Sequence, residues 1–415
     1  MSYSQEALEA LEAQDMARFE QLFNQAQEND SAQTLLALAD YLEAIGFYPQ
    51  AKVLYEKLLP HYPDLAINLA QIAGEDGDIE QAFAYLEAIP QTSDAYLSAL
   101  LTKADLYQLE GLTEVARDKM AEAQALSEDP IVTFGLAEME FELGNFSQAI
   151  KAYAQLDQRS IFQATGVSTY QRIGFAYANL GKFEAAIEFL EKAVELDFEE
   201  QTLMALASLL YEAGESQKAN LYFKQLDTLN PDFPGYEYLY AQSLHAEHET
   251  TKALQIVQQG LAKNSFDSQL LLLASQLAYE LHDKKASEAY LRQALDISED
   301  REAVVLPLSN LLLEAGRYDE IPQVVTDDTV SVLPRWNLAK AYRQLEEDAK
   351  AQSVYADIVD DLKTNPEFLL DYALYLRELG EKEKASHYLK AYLKEVPDDG
   401  QAVAWLADWQ AEAPF

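Results

Sequence analysis

Histidines are the side chains in this sequence best suited to metal binding or proton transfer. His245 and His248 lie three residues apart, and His282 follows His248 by 34 residues. If segments of that length stack on one another, the imidazoles of His248 and His282 come near enough for a loose metal site. A structural zinc site normally takes four ligands, whereas histidine is enriched in the left-handed turns for which glycine is used elsewhere in this chain. The spacing therefore favours two turn residues over a metal site.

Paired carboxylates are the other groups that could do chemistry, as general acids and bases or as metal ligands. The stretch at 74–78, GEDGD, lacks the twelve-residue ligand spacing of a calcium loop. The sequence also contains no phosphate-binding glycine loop and no nucleophile elbow, and the absence of cysteine excludes thiolate chemistry. We therefore predict a protein that is not an enzyme, with no catalytic residues, no metal site and no cofactor.

Composition and charge indicate the kind of protein and the kind of partner. The 415 residues include 71 acidic and 30 basic side chains, a net charge of −41. Such a surface repels nucleic acids and anionic lipids, and it favours cationic partners. The charge is uneven, because residues 1–80 hold 3 basic and 15 acidic side chains and residues 335–415 hold 10 and 16. The N-terminal stretch does not resemble a signal peptide, and no apolar run approaches the ~20 residues that span a bilayer. We predict a cytoplasmic protein without membrane insertion.

All of these residues must be positioned by helices, and the sequence pattern that predicts those helices recurs along the chain. In the stretch at 170–193, YQRIGFAYANLGKFEAAIEFLEKA, apolar residues recur at steps of three and four on both sides of Gly181. This pattern predicts two amphipathic helices joined by a short turn. Gly174 and Ala186, small residues twelve positions apart, mark where the two helices approach most closely. The same spacing recurs along the chain, as in Ala39 with Ala51, Ala70 with Ala82, Ala104 with Ala116, Ala137 with Ala149, Ala207 with Ala219, Ala241 with Ala253, Ser275 with Ser287, Ala339 with Ala351 and Ala373 with Ala385.

Twelve units of this kind can be counted, starting 30 to 37 residues apart and most often 34, and a last helix is predicted at 401–412. The spacing resembles the tetratricopeptide repeat family over essentially the whole chain. An acidic array with no attached domain is also similar to the YpiA-type proteins of low-GC Gram-positive bacteria. The resemblance implies an all-α, right-handed superhelical solenoid of about twelve hairpins with a C-terminal capping helix. It also implies a concave face that binds peptides or proteins.

Two stretches depart from the repeat pattern, at 157–169 and at 305–333. The first is a long connection containing Gly166, and the second contains Pro307, Pro322 and a run of β-branched residues. Proline inside a helix removes a hydrogen bond, so we expect a kinked or shortened helix pair at 305–333. We predict a single continuous array over 1–415. The two joints suggest a subdivision into N-terminal repeats at 1–156, central repeats at 170–300, and C-terminal repeats with the capping helix at 335–415.

The first helix of each unit lines the concave face in tetratricopeptide repeat proteins, so the resemblance predicts which side chains face a partner. Mixed aromatic and acidic walls suit a peptide with apolar residues and Lys or Arg. Each ring has an alternative role in packing between helices, and each acid an alternative role in solubility. The predicted groove residues are Asp105, Phe134, Glu138, Phe141, Glu142, Phe175, Tyr211, Glu212, Tyr238, Tyr279 and Glu280.

A basic cluster near the C-terminal end is predicted as a secondary site for a carboxylate or phosphate. It comprises Trp336, Lys340, Arg343 and Arg377, with Glu367 and Glu378 as residues that could neutralise it. The lysine–asparagine pair with which some members of the family grip the end of a peptide is missing. Asn310 matches the asparagine, but Leu306 stands where its lysine would be.

These patterns predict a non-catalytic scaffold or adaptor that binds a basic, apolar partner protein or peptide in the groove. Two alternatives stay open, an acidic nucleic-acid mimic that sequesters a basic protein and a non-catalytic regulatory subunit of an enzyme complex. Nucleic acid itself is not expected as a partner, because such binders need a basic stripe. The oligomeric state does not follow from the sequence.

Overall fold

A computed structural model describes residues 2–411, and within them the chain is helical, with no β-strand. Residue 1 and residues 412–415, the end of the predicted capping segment, lie outside the described residues. The chain forms two compact units, one ending at Leu209 and the other beginning at Leu210. The all-α class is confirmed. The right-handed superhelix, the number of repeats and the subdivision at the two joints stay predictions.

The first unit is built from antiparallel helix pairs, with one additional short helix, α11, and a 3₁₀ turn at Pro63–Leu65. Its last helix, α14, runs three residues into the second unit. The helices are α1 (Tyr3–Glu12), α2 (Met16–Asn29), α3 (Ala32–Ala44), α4 (Tyr48–Leu58), α5 (Ala66–Glu75), α6 (Ile79–Glu87), α7 (Tyr96–Leu109), α8 (Thr113–Leu126), α9 (Pro130–Glu142), α10 (Phe146–Tyr153), α11 (Gln158–Thr165), α12 (Thr169–Asn179), α13 (Phe183–Leu196) and α14 (Glu200–Glu212).

The second unit continues with the same kind of pair and contains a 3₁₀ turn at Tyr318–Glu320. Its helices are α15 (Ser216–Leu229), α16 (Tyr236–Ala246), α17 (Thr250–Lys263), α18 (Ser268–Glu280), α19 (Lys284–Ile297), α20 (Arg301–Glu314), α21 (Ile321–Val324), α22 (Val332–Gln344), α23 (Asp348–Leu362), α24 (Pro366–Glu378), α25 (Lys382–Glu395) and α26 (Gly400–Ala411). The final helix, α26, buries Ala402 and Trp409 against the core of this unit, as expected of a capping helix.

The small residues bring the two helices of a pair into contact. In the pair α12–α13, a β-carbon built on Gly174 would lie 2.7 Å from Leu190, a distance that side chains essentially never adopt. Ala186, twelve residues later, is completely buried. Gly181 ends α12 in the left-handed conformation, with φ of +69°. The twelve-residue spacing of small side chains therefore reflects the close approach of the two helices, which leaves no room for a larger side chain at Gly174.

The predicted turn role of His248 and His282 is confirmed. Their φ angles are +61° and +64°, in the left-handed region that glycine occupies in the corresponding turns. Gln14 and Glu346 adopt the same conformation at φ of +60° and +58°. The residue types at these two positions did not predict a left-handed turn, because neither glutamine nor glutamate favours that region.

The irregular stretch at 157–169 contains a helix that the sequence reading took for a connection. Asp157 accepts the backbone N–H of Ser160 at 2.9 Å and so caps α11, and Gly166 ends it with φ of +73°. Ile161 is buried, and Gln158 accepts a hydrogen bond from the backbone N–H of Tyr170 at 3.2 Å. The segment is therefore an ordered part of the first unit.

The stretch at 305–333 is shortened in its second helix only. The first helix, α20, continues through Pro307 for 14 residues, whereas its partner α21 has only 4. Four alternating charges brace this short pair: Arg292 bonds to Glu288 at 2.8 Å and to Glu320 at 2.6 Å, and Arg317 bonds to Glu288 at 2.7 Å and to Glu320 at 2.6 Å. This network links α19 to the turn that precedes α21.

Candidate partner-binding face

The predicted groove aromatics of the first unit are half-buried on α9 and α12. Phe134 and Phe141 pack on the core formed by Ala137, Ala149 and Tyr153, and the rings of Phe134 and Tyr153 are 6.2 Å apart. Phe175 is also half-buried. Each ring thus combines a packing role with an accessible edge, so the alternative of core packing is partly realised in the same residues.

Glu138 is held by two neighbours. It accepts hydrogen bonds from the buried hydroxyl of Tyr153 and, at 3.0 Å, from Nε of Arg172, which lies in the following repeat. The Arg172 guanidinium also lies 5.8 Å from the centre of the Phe141 ring. The charge of Glu138 is therefore compensated within the protein.

Glu142 and Asp105 differ from Glu138 because no cation pairs with either of them among residues 2–411. Glu142 accepts hydrogen bonds from Gln108 at 3.0 Å and Thr113 at 3.2 Å, both neutral donors. Asp105 and Gln108 lie three residues apart on the same side of α7, which places both carboxylates on one face. Although Asp105 remains solvent-accessible, the protein around it raises the pKa of its carboxyl group through desolvation.

The predicted groove residues of the second unit are Tyr211, Glu212, Tyr238, Tyr279 and Glu280. Tyr211 and Tyr238 are half-buried, and the hydroxyl of Tyr238 accepts a hydrogen bond from Gln242 at 3.0 Å. Tyr279 donates to Glu314 at 2.8 Å, and Glu280 lies 2.6 Å from Nε2 of His245. Both contacts join residues 35 positions apart, so they connect neighbouring repeats. Glu212 is exposed.

The structure partly neutralises the predicted basic cluster, because Trp336 and Arg343 both contact Asp371. Arg343 pairs with Asp371 at 3.1 Å and, through Nε, with Glu378 at 2.8 Å. Arg377 lies over the ring of Trp409 at 5.4 Å. The ammonium group of Lys340 lies 3.5 Å from the centre of the Trp336 ring. Trp336 is itself buried, and its Nε1 donates to Asp371 at 2.7 Å. Lys340 itself forms no ion pair with a carboxylate within residues 2–411, although Asp371 and Glu367 lie near enough to act on its charge.

A recurrent bond between a buried tyrosine and a carboxylate was missed by the sequence reasoning. The hydroxyl of Tyr55 donates to Asp40 at 2.9 Å and to Glu43 at 2.6 Å, and the hydroxyl of Tyr355 donates to Asp371 at 2.7 Å. Tyr153 makes the equivalent bond to Glu138. Burial and the adjacent carboxylates raise the pKa of all three phenols. Each tyrosine follows the small residue of its first helix, Ala39, Ala137 or Ala339, by sixteen positions, and that spacing is the signal that could have revealed the bond.

Three segments of the chain match known repeat families. Residues 167–200, which include the α12–α13 hairpin, match the tetratricopeptide repeat. Residues 108–161 match the YpiA-like tetratricopeptide repeats, and residues 333–399 match the YpiA-like C-terminal tetratricopeptide repeats. In these three segments the chain is similar to tetratricopeptide repeat proteins. Proteins of this family generally mediate protein–protein interactions and are generally not catalysts.

The chain is similar over most of its length to the TPR repeat-containing protein YpiA of Bacillus subtilis (strain 168). The two are 27% identical over 405 residues, which cover 94% of each chain. Similar solved structures include YrrB, described as a TPR protein with an unusual peptide-binding site, at 17% identity and a TM-score of 0.39, covering 48% of this chain and 97% of that one. Another is the Cut9–Hcn1 hetero-tetramer of the APC/C, at 15% identity and a TM-score of 0.37, covering 97% of this chain and 95% of that one.

Membrane-spanning helices and metal-binding groups are both absent from the described residues. None of the helices within residues 2–411 is both long enough and apolar enough to cross a bilayer. In the same residues no three His, Cys, Asp or Glu side chains are grouped so that they could hold a metal ion.

Proposed function

We propose that this tetratricopeptide repeat protein is a non-catalytic cytoplasmic scaffold that binds a basic and apolar segment of a partner protein. The family supports the general role, since its members mediate protein–protein interactions. The charge supports the partner's chemistry, because a net charge of −41 attracts cationic segments and speeds their association.

One observation carries the proposal. In the first unit, Asp105 and Glu142 are carboxyl groups that form no ion pair with a lysine or arginine within residues 2–411, and half-buried Phe141 lies directly beside Glu142 in the chain. A lysine or arginine of the partner would meet the carboxylates, and an apolar neighbour would cover the rings of Phe134 and Phe141. The rings supply apolar contact area and the carboxylates supply steering and orientation.

The predicted residues of the second unit suit the same class of ligand less directly. Glu280 is engaged by His245, and Tyr279 by Glu314, so a partner would have to share or displace these bonds. Glu212, exposed beside half-buried Tyr211, is the acid of this unit that we propose as the principal contact for a basic side chain.

The proposal is tested by affinity capture from the native cytoplasm with three baits, followed by mass spectrometry and direct titration of each recovered partner. The first bait is the wild-type chain, and the second carries Asp105→Asn and Glu142→Gln, which remove charge without changing side-chain shape. The third carries Glu184→Gln and Glu195→Gln, two exposed acids on α13 in the same unit. The two variants change the net charge equally.

We expect discrete partners that bind the wild type and the α13 variant but bind the Asp105/Glu142 variant at least tenfold more weakly. Equal retention by all three baits would place the binding site elsewhere. Equal loss from both variants would mean that total acidity decides binding, which is the behaviour of the nucleic-acid mimic.

A further inference from the structure

Three successive helix pairs of the first unit expose large apolar side chains at their turns. Each turn carries two such residues, three positions apart, on either side of a glycine in the left-handed conformation. Leu109, Leu112 and Phe183 are 77%, 50% and 47% exposed. We call this surface the turn edge, and its residues are Leu109 and Leu112 around Gly111, Leu143 and Phe146 around Gly144, and Leu180 and Phe183 around Gly181.

The turn conformation does not require these apolar residues. Two turns of the second unit adopt the same left-handed conformation, at Gly214 with φ of +79° and at His248 with φ of +61°. The residues that flank them are Ala213 and Ser216 in the first case and Glu247 and Thr250 in the second. Apolar side chains are more stable out of water, and exposed apolar patches commonly mark interaction sites. The turn edge therefore indicates a surface that another molecule covers.

Hydrogen bonds between repeats bring the first two of these turns side by side. Gln108 and Thr113 lie on either side of the α7–α8 turn. Both donate to the carboxylate of Glu142, at 3.0 Å and 3.2 Å. Glu142 directly precedes Leu143, the first apolar residue of the α9–α10 turn. The two turns are thus held against each other.

Aromatic contacts connect the second turn to the third. The ring of Phe146 lies 5.5 Å from that of Phe141 on α9. Phe141 and Tyr177 of α12 pack against the same buried cluster. The ammonium group of Lys182, in the α12–α13 turn, lies 5.8 Å from the centre of the Tyr177 ring. The three turns therefore form one row along this side of the first unit.

Charge decides which occupant fits the turn edge. A second copy of the chain would bring a further net charge of −41, and an anionic lipid surface would also be repelled. Glu110 and Glu114, both exposed, lie beside Leu109 and Leu112 at the first turn, whereas the third turn carries Lys182. Electrostatic complementarity therefore favours a partner protein whose Lys or Arg residues meet the first turn.

Distance decides the conformation of the partner segment. Packed neighbouring helices lie about 8–10 Å apart, and adjacent turns of the row are separated by a similar distance. An α-helix advances about 10 Å in seven residues, and the seventh residue returns to nearly the same face. An extended segment covers that distance in about three residues, but successive side chains then alternate between its two faces. A helix with apolar residues seven positions apart therefore matches the row.

We propose that the turn edge binds an amphipathic α-helix of a partner protein. Apolar side chains of that helix, seven positions apart, pack on the successive turns, and its Lys or Arg residues meet Glu110 and Glu114. The inference rests on the proposed function in that the partner is again basic and apolar, and it adds a contact surface at the turns, outside the predicted groove residues.

The test is fluorescence anisotropy with the full chain and peptide amides carrying a neutral nitrobenzoxadiazole label at the N-terminus. The first peptide consists of three LKQAAQK heptads, so that its leucines are seven positions apart. The second has the same composition with its leucines five positions apart, which distributes them around the helix. The third replaces every lysine of the first peptide with glutamine.

Two matched triple variants distinguish the turn edge from other exposed apolar residues of the same unit. The turn-edge variant carries Leu109→Gln, Leu112→Gln and Phe183→Gln. The control variant carries Leu126→Gln, Ile131→Gln and Phe198→Gln, which are also exposed. A third variant, Glu110→Gln with Glu114→Gln, removes the charges at the first turn. Circular dichroism checks that every variant is folded.

We expect the wild type and the control variant to bind the heptad peptide at least tenfold more tightly than the five-spaced peptide. The turn-edge variant should lose this preference. Glu110→Gln with Glu114→Gln should weaken binding of the lysine peptide about threefold and leave the glutamine peptide unchanged.

The proposal is overturned if the wild type binds the first two peptides equally, or if the turn-edge variant keeps the preference. Sedimentation equilibrium of the free chain tests the other occupant, since self-association that is lost in the turn-edge variant would assign the surface to a second copy. These variants leave Asp105 and Glu142 unchanged, so this proposal and the proposed function can fail separately.

Discussion

One position of the repeat carries opposite charge in three repeats of the two units. The residue directly after the small residue of the first helix is acidic in two repeats of the first unit, as Asp40 and Glu138, and in the second unit the residue after Ala339 is Lys340. A buried tyrosine lies sixteen residues after the small residue in all three repeats, and each one donates its hydroxyl to a carboxylate.

The difference lies in where the carboxylate comes from. Asp40 and Glu138 belong to the same repeat as their tyrosines, whereas Tyr355 bonds to Asp371, sixteen residues later in the following repeat. A buried phenol needs an acceptor, because an unsatisfied hydroxyl in the core costs about 1–3 kcal/mol. When the next repeat supplies that acceptor, the residue after the small residue of the first helix no longer has to be acidic. A lysine can then stand at this position while the tyrosine keeps its hydrogen bond.

The largest effect is expected from removing the shared acceptor of the second unit. Asp371→Ala takes away the partner of Trp336, Tyr355 and Arg343 at once, and we expect it to lower the free energy of unfolding by about 3 kcal/mol. Asp40→Ala should cost about 1 kcal/mol, because Tyr55 still donates to Glu43. Urea denaturation of the full chain measures both free energies of unfolding. Equal decreases would contradict the view that Asp371 alone accepts the hydrogen bond of Tyr355, whereas two acids accept that of Tyr55.

Alkaline pH should reveal the buried phenols of both units. The pKa values of Tyr153 and Tyr355 are raised by burial and by their carboxylate partners, so the folded chain keeps protons that the unfolded chain releases near pH 10. The stabilisation is therefore complete below that pH and is lost as pH rises, by about 1.4 kcal/mol per pH unit for each tyrosine. Stability measured from pH 9 to 11 should fall less steeply in Tyr153→Phe and in Tyr355→Phe. Slopes equal to that of the wild type in either variant would show that the phenol in that unit ionises normally.

A charge swap tests whether the two sources of the acceptor are interchangeable. Asp371→Asn weakens the bond to Tyr355, and adding Lys340→Glu restores an acid at the position used in the first unit. We expect the double variant to be about 1 kcal/mol more stable than Asp371→Asn alone. If the added acid gives no recovery in urea denaturation, the position after the small residue is not equivalent in the two units.

The smallest effect on stability is expected at the proposed binding face of the first unit. Glu142→Gln keeps the shape of a side chain that is bonded only to neutral Gln108 and Thr113, so the free energy of unfolding should change by less than about 0.5 kcal/mol. Glu138→Gln should cost more, about 1 kcal/mol, because Arg172 loses its ion pair. Thermal denaturation that ranks the two variants in the reverse order would contradict the assignment of Glu142 as a binding residue and Glu138 as a structural one.

Much of the fold followed from spacing. Small residues twelve apart marked the helix pairs because a larger side chain at that place collides with the partner helix, as the contact of Gly174 with Leu190 shows. The helix α11 was not predicted. Its eight residues are rich in turn-forming types, and they have no counterpart in the other repeats with which their pattern could be compared. The effect of Pro307 was only partly foreseen, since α20 continues through it and the shortening falls on α21.

The candidate site was less predictable than the fold. The resemblance to a repeat family indicated which positions face a partner, but it could not separate Glu138 from Glu142. The first is compensated by Arg172, and the second is not paired with a cation among the described residues. The complementary residues are 34 positions apart in both cases. The repeat length therefore carries the signal that adjacent units are in contact, but side-chain direction decides which bond forms.

The sequence by itself determined the helical class, the repeat, the turns at His248 and His282 and the acidic character, because each depends on residue type and spacing along the chain. Only the tertiary structure decided which charges remain available. It ties Arg343 to Asp371 and Glu378, leaves Lys340 over the ring of Trp336, and bonds Gln108 and Thr113 to Glu142. The physical reason is that compensation depends on atoms from neighbouring repeats meeting within a few ångströms, and a one-dimensional pattern does not contain those distances.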